Sequence, residues 1–208
     1  QALGTSLAIG IAVACLACLI GLPAGRAIGL YAFRGRRGIQ FLLLAPVIVP
    51  GLAVTLGLQV FFLHYGLANT MAGVVLVQLV PTVPYTATIL SGAFANLEVG
   101  YEAQARSLGA GPIRVLVFVT APLMRPAIIV AALLAFLISW SEYVLTLLIG
   151  GGQVTTLPLL LFAAISSSDT TAAAALALLV IGPPLLLIMA STRLLSARPG
   201  AVVGMGRL

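Results

Sequence analysis

Apolar runs of membrane-crossing length, separated by clusters of arginine, leave this chain very few folds to choose from. A transmembrane helix needs about 20 predominantly apolar residues. Ala2 to Phe33, Gln40 to Phe62, Met71 to Phe94, Ala127 to Gly150 and Thr171 to Leu195 each supply a run of that order. In the first of these, Pro23 and Arg26 confine the expected crossing to Leu7 to Leu22. Pro and Gly recur inside the runs, as membrane helices allow when neighbouring helices re-satisfy the backbone. Period-two alternation is absent, which argues against a β-barrel. With 62% hydrophobic and 7% charged residues, and a mean hydropathy of +1.23, the chain lacks the polar surface of a soluble globule. The expected fold is all-α, a polytopic membrane helix bundle of five spans forming a single domain over residues 1–208.

Arginine placement orients the bundle. There is no lysine, and the ten basic residues fall at Arg26, Arg34, Arg36 and Arg37, at Arg106, Arg114 and Arg125, and at Arg193, Arg198 and Arg207. The positive-inside rule puts all three clusters on the cytoplasmic side, with the loops at His64 and Asp169 outside. The net charge of +6 is therefore a topology signal, and nucleic acid is not an expected partner. Five spans place Gln1 outside. A signal peptide carries its positive charge before the apolar core, whereas here the charge follows it. An outside start without a leader points to a further upstream span, making six in the full-length subunit.

The stretch Tyr101 to Pro126 stands apart, with Glu102, Arg106, Arg114 and Arg125 around a Gly109-Ala110-Gly111-Pro112 break. Ala103 to Leu108 favours helix, the Gly-Pro run interrupts it, and Ile113 to Val119 resumes it before Pro122. The pattern predicts a helix, a turn and a second helix at the cytoplasmic membrane surface.

Catalytic chemistry is sparse. A P-loop needs a lysine behind its glycines, so this chain has no such route to ATP hydrolysis; it is expected to bind no cofactor, and any ATP dependence would have to come from a partner. His64, beside Tyr65 in an outer loop, reads as an interfacial residue, and no cluster has metal-ligand spacing. Cys15 and Cys18 lie in an apolar helix and read as small packing residues rather than a redox pair. No G-x-S-x-G elbow is present.

Polar residues inside the spans carry more information, because they are costly there and face a bundle interior or cavity. Ser139, Glu142 and Thr146 recur at spacings of three and four, flanked by Trp140 and Tyr143. Gln78, Thr82 and Tyr85 do the same on the third span, and Thr55 and Gln59 lie one turn apart on the second. Gln59, Gln78, Thr82, Tyr85, Ser139, Trp140, Glu142, Tyr143 and Thr146 are thus the candidate lining of a substrate path. An unpaired Glu142 would cost about 3 kcal/mol on insertion scales; structural pairing and a substrate contact are both open to it. Pro46, Pro50, Pro81 and Pro84 are either simple kinks or the broken helices with which transporters build sites.

Glu102-Ala103-Gln104-Ala105-Arg106-Ser107-Leu108-Gly109-Ala110, with Ala121-Pro122 downstream, resembles the EAA loop of the permease subunits of ABC importers. That signature is Glu-Ala-Ala, three residues, Gly, a nine-residue spacer and Ile-x-Leu-Pro. Ala105, Gly109 and Pro122 are in register and Val119 replaces Ile. Ala103 occupies the glutamate position with Glu102 one place early, Gln104 replaces an alanine and Ala121 the leucine. Phe33 to Arg37, Ala45 to Pro50, Ser139 to Tyr143 and Val154 to Pro158 are similar to the branch serving polyamines, with relatives for ferric iron, thiamine and phosphonates. The resemblance implies a multi-pass subunit of the bacterial inner membrane in a type I importer. Its implied partners are two cytoplasmic ATPase subunits, a second permease that is related but different, an external or periplasmic solute-binding protein, and membrane lipid. It implies six spans per subunit and a cytoplasmic coupling helix within residues 97–122. Glu102, Ala103, Ala105, Arg106, Leu108, Gly109, Ala110 and Pro112 would then couple to the ATPase.

The expected function is permeation by alternating access, with a polyamine or another small cation as solute. The competing reading is a channel or ion-driven carrier acting alone. A membrane enzyme finds no nucleophile-base pair.

Overall fold

A computed structural model describes residues 1–49 and 51–196. Pro50, Arg198 and Arg207, which entered the kink and topology readings, lie outside the described residues. Among the described residues every regular element is helical. The order is α1 (Ala2–Leu30), α2 (Arg36–Ile48), α3 (Gly51–His64), α4 (Met71–Ala95), α5 (Gly100–Ser107), α6 (Pro112–Val115), a π-helical turn (Leu116–Thr120), α7 (Ala121–Trp140), α8 (Val144–Gly150), α9 (Leu157–Ser166) and α10 (Thr170–Ser196).

Among the described residues, four helices are long and apolar enough to cross a membrane: Ala2–Leu30, Met71–Ala95, Pro112–Trp140 and Thr170–Arg193. The bent pair α2 and α3, at 93° to each other, makes a fifth if the two count as one span. The expected second span is thus two helices, and Val49, in an extended conformation, ends the first of them.

The expected fourth span, Ala127 to Gly150, is displaced by half its length. The membrane helix already begins at Pro112 and ends at Trp140. Proline is tolerated in a first helical turn, and both α6 and α7 start with one, at Pro112 and Pro122. The π-helical turn lies directly ahead of Pro122, which has no N–H to offer the preceding turn. The helix pair expected at the surface is therefore one free helix, α5, and the first turn of a span. At the far end, Glu142 Oε1 accepts the Leu145 N–H at 3.0 Å and starts α8 as a separate helix.

Helices α1, α4 and α7 form the core. Gly25 and Gly29 of α1 let its backbone lie directly on α4. A Cβ at Gly25 would sit 2.8 Å from Leu90 Cβ, and one at Gly29 would sit 2.6 Å from both Phe94 Cβ and the Ser91 carbonyl oxygen. Close approach through small residues is the usual basis of helix association where lipid removes the hydrophobic driving force. Leu90 and Phe94 then pack with Met124 and Ala131 of α7. Nearer the other end, Ala14 and Ala17 pack with Phe136 and Trp140. The Trp140 Nε1–H donates to the Val180 carbonyl at 2.8 Å, tying α10 to α7.

The two ends of the bundle differ in chemistry. At the arginine-bearing end, α1 meets α5 through Arg26 and Glu102. At the opposite end the Asn69 N–H donates to the Ile149 carbonyl at 2.7 Å, joining the turn before α4 to the end of α8.

Candidate functional site

Helix α5 is short and stops where its sequence says it must. Gly109 has φ +84°, a left-handed conformation that glycine adopts without steric cost. The Ala110 N–H reaches back to the Ala105 carbonyl at 3.0 Å and the Gly109 N–H to Arg106 at 2.9 Å, closing the C-terminus. Pro112 then opens α6.

Glu102 is the centre of this segment and only 1% exposed. Its Oε2 accepts Arg26 Nη2 at 2.6 Å and Arg106 Nη2 at 2.9 Å. Its Oε1 accepts the Thr120 hydroxyl at 2.6 Å. One carboxylate therefore joins the Arg26 end of α1, helix α5 and the π-helical turn that leads into α7. Burial by itself would raise the Glu102 pKa, but the Thr120 hydrogen bond and the Arg26 and Arg106 charges outweigh it and hold the carboxyl below its ordinary value. The Arg26 guanidinium also lies 5.9 Å from the Phe94 ring centroid, at the end of α4.

With Glu102 turned inward, α5 presents another face outward. Ala103, Arg106, Gly109 and Pro112 are exposed, and Ala105 and Ala110 are half-buried. Leu108 is 87% and Ile113 76% exposed, an apolar tip on an arginine-rich end. Of the residues predicted to couple, seven reach the surface or its margin; Glu102 alone is buried within the chain. Arg26 and Thr120 were missed as its partners. An arginine interrupting an apolar run was a signal for the first, because such a charge needs a partner; Thr120 carried none.

The predicted path residues divide into three groups. Gln78, Ser139 and Thr146 are buried and bonded together: the Gln78 amide donates to Thr146 Oγ1 at 2.9 Å and accepts from the Ser139 hydroxyl. Thr82, also buried, donates to the Gln78 carbonyl at 2.8 Å. Gln78, Ser139 and Thr146 clamp α4 to α7 and α8, whereas the Thr82 bond stays within α4. Ser139, Glu142 and Thr146 are not one helical stripe as their spacing suggested, because the helix breaks between Trp140 and Val144. Trp140 is buried against α10.

Glu142 belongs to a second group. With Thr55, Val77, Val80, Pro81 and Pro46 it borders a cavity of about 250 Å³ between the α2–α3 pair, α4 and α8. The third group, Gln59, Tyr85 and Tyr143, is at least partly exposed, and Tyr143 stacks on Phe162 with centroids 4.1 Å apart. His64 packs edge-on to Tyr65 at 5.3 Å. Cys18 packs against the α4–α7 cluster, while Cys15 is exposed; neither is in a disulfide.

A family model described as binding-protein-dependent transport system inner membrane component matches residues 21–200. The putrescine transport system permease protein PotI of Escherichia coli K12 is 32% identical over 154 residues, covering 70% of this chain and 54% of that protein. The molybdate/tungstate permease WtpB of Thermococcus kodakarensis is 28% identical over 142 residues, or 68% of this chain and 57% of its own length. The molybdenum permease ModB of Mycobacterium tuberculosis is 34% identical over 146 residues, or 64% and 54%. The chain spans about half the length of the curated relatives it matches.

Proposed function

This chain belongs to the family of binding-protein-dependent transport system inner membrane components, and from that membership we propose that it is the permease subunit of an ATP-driven importer whose energy enters through α5 and its turn. The carrying observation is the α5 tip. A buried carboxylate fixes the helix to the bundle while Leu108 and Ile113 stand free at the arginine-rich end. An apolar knob on a rigid base suits a groove on a cytoplasmic ATPase, as exposed helices dock in grooves generally. The partners are two such ATPases, which hold ATP and Mg, a second permease and an external solute-binding protein. Closure of the ATPases would rock the spans between inward and outward access.

Gly109→Asp tests this. A side chain at φ +84° strains the reversal and adds charge beside Leu108. In the reconstituted complex, ATP hydrolysis stimulated by loaded binding protein should be abolished while membrane insertion persists. Unchanged stimulation, or transport by the purified chain without any ATPase, would defeat the proposal.

The solute we favour is a small cation of the polyamine type. Its support is Glu142, whose Oε1 takes the Leu145 N–H and whose carboxylate borders an otherwise largely apolar cavity. The named relatives move putrescine, molybdate or tungstate, and molybdenum, so cargo varies within the family. Glu142→Gln should lower putrescine transport at least tenfold with assembly intact; equal transport would leave Glu142 with only its hydrogen bond to the Leu145 N–H.

A further inference from the structure

Glu102 is buried, with only 1% of its surface exposed, yet it bonds two other elements to its own helix. Its Oε2 holds Arg26 of α1 and its Oε1 holds Thr120 of the π-helical turn, with Arg106 of its own helix completing the set. Thr120 comes within 3.4 Å of the Val115 carbonyl as well, five residues earlier, a separation that follows the wider π-helical winding. The π-helical turn and Arg26 therefore both aim at one buried carboxylate. Without that carboxylate, the two arginines and the hydroxyl would lose their shared acceptor, and α5 would hang from its flanking turns.

We propose that Glu102 is a positioning residue that makes α5, the cytoplasmic half of α1 and the base of α7 move as one body. On this reading a push on Leu108 does not bend the loop. It is passed through Arg26 into α1, which carries α4 with it through the Gly25 and Gly29 contacts and the Arg26 contact with Phe94. Helix α3, the half of the bent pair that borders α8 across the cavity, makes none of these bonds and is the element against which the body would move. The inference rests on the coupling reading above and adds the route that force takes once α5 is engaged.

Spin-label distances in the complete transporter, in lipid nanodiscs, test it without knowledge of the solute. Cys15 and Cys18 are replaced by Ala, and labelled cysteines are placed in pairs at Gln104, which is exposed on α5 but outside the docking tip, and at the exposed Leu19 and Val60. Between the nucleotide-free state and the state trapped with ATP and vanadate, the 104–19 distance should change by less than about 2 Å. The 19–60 distance should shift clearly. In Glu102→Gln the 104–19 distribution should broaden and the 19–60 shift should fall to half or less while the ATPases stay bound. Thr120→Val, a milder change, should give the same trend if Glu102→Gln does not assemble. A 104–19 distance that changes with nucleotide in the parent protein, or a 19–60 response unaltered in the variants, overturns the single-body linkage and leaves coupling standing. No response in any pair overturns the coupling reading itself.

Discussion

Replacing Gln78 with Leu removes the centre of the clamp between α4, α7 and α8 at nearly constant volume. Two hydrogen bonds are lost, one to Thr146 and one from Ser139. Neither partner is left wholly stranded. Thr146 Oγ1 still lies 3.2 Å from the Glu142 carbonyl as a donor, and a serine in a helix can turn its hydroxyl to a carbonyl one turn back. The cost is therefore that of the two bonds, without a large penalty for orphaned groups. Side-chain hydrogen bonds in membrane bundles average about 0.6 kcal/mol, with a maximum near 1.7, so the expected loss is about 1–2 kcal/mol. A double-mutant cycle with Thr146→Val isolates the Gln78–Thr146 part of the clamp, the one bond that both single changes remove. Reversible unfolding in mixed micelles should give a coupling energy of about 0.5–1.5 kcal/mol. Additive effects, or a Gln78→Leu variant as stable as the parent, would refute the role assigned to the clamp. The same variant should loosen the 250 Å³ cavity, because Val77 of α4 and Leu145 of α8 form facing parts of its wall.

Gly29→Ala puts a Cβ 2.6 Å from Phe94 Cβ and from a backbone oxygen of α4; it should cost about 1–3 kcal/mol by overpacking, read as a lower unfolding midpoint in detergent. Gly57→Ala, where nothing lies within 4 Å, is the matched control and should leave the midpoint nearly unchanged. The lowered Glu102 pKa gives a pH prediction whose sign follows from linkage. Its stabilisation is fully present above the ordinary glutamate value of 4.5 and is lost as pH falls from there through the lowered value of the folded protein. The midpoint difference between the parent and Glu102→Gln should shrink on acidification below that point; a difference constant across the window would contradict the assigned charge pairing.

Hydrophobicity and arginine placement determined by themselves that this is a helical membrane bundle, which end holds the arginine clusters, and where α5 breaks. These follow from one-dimensional properties: apolar run length sets a crossing, charge sets its direction, and a glycine followed by Gly-Pro ends a helix whatever surrounds it. The family resemblance was legible in the same segment. What only the tertiary structure decided is which polar groups meet. Ser139, Glu142 and Thr146 share helical spacing, yet a break at residues 141–143 sends the carboxylate to a cavity wall and the two hydroxyls to Gln78 on another span. Glu102 and Arg26 are 76 residues apart, and nothing along the chain records that one will neutralise the other. Burying a charge requires a partner but does not name it, and that choice falls to whichever helices pack closely enough, here through the glycines of α1.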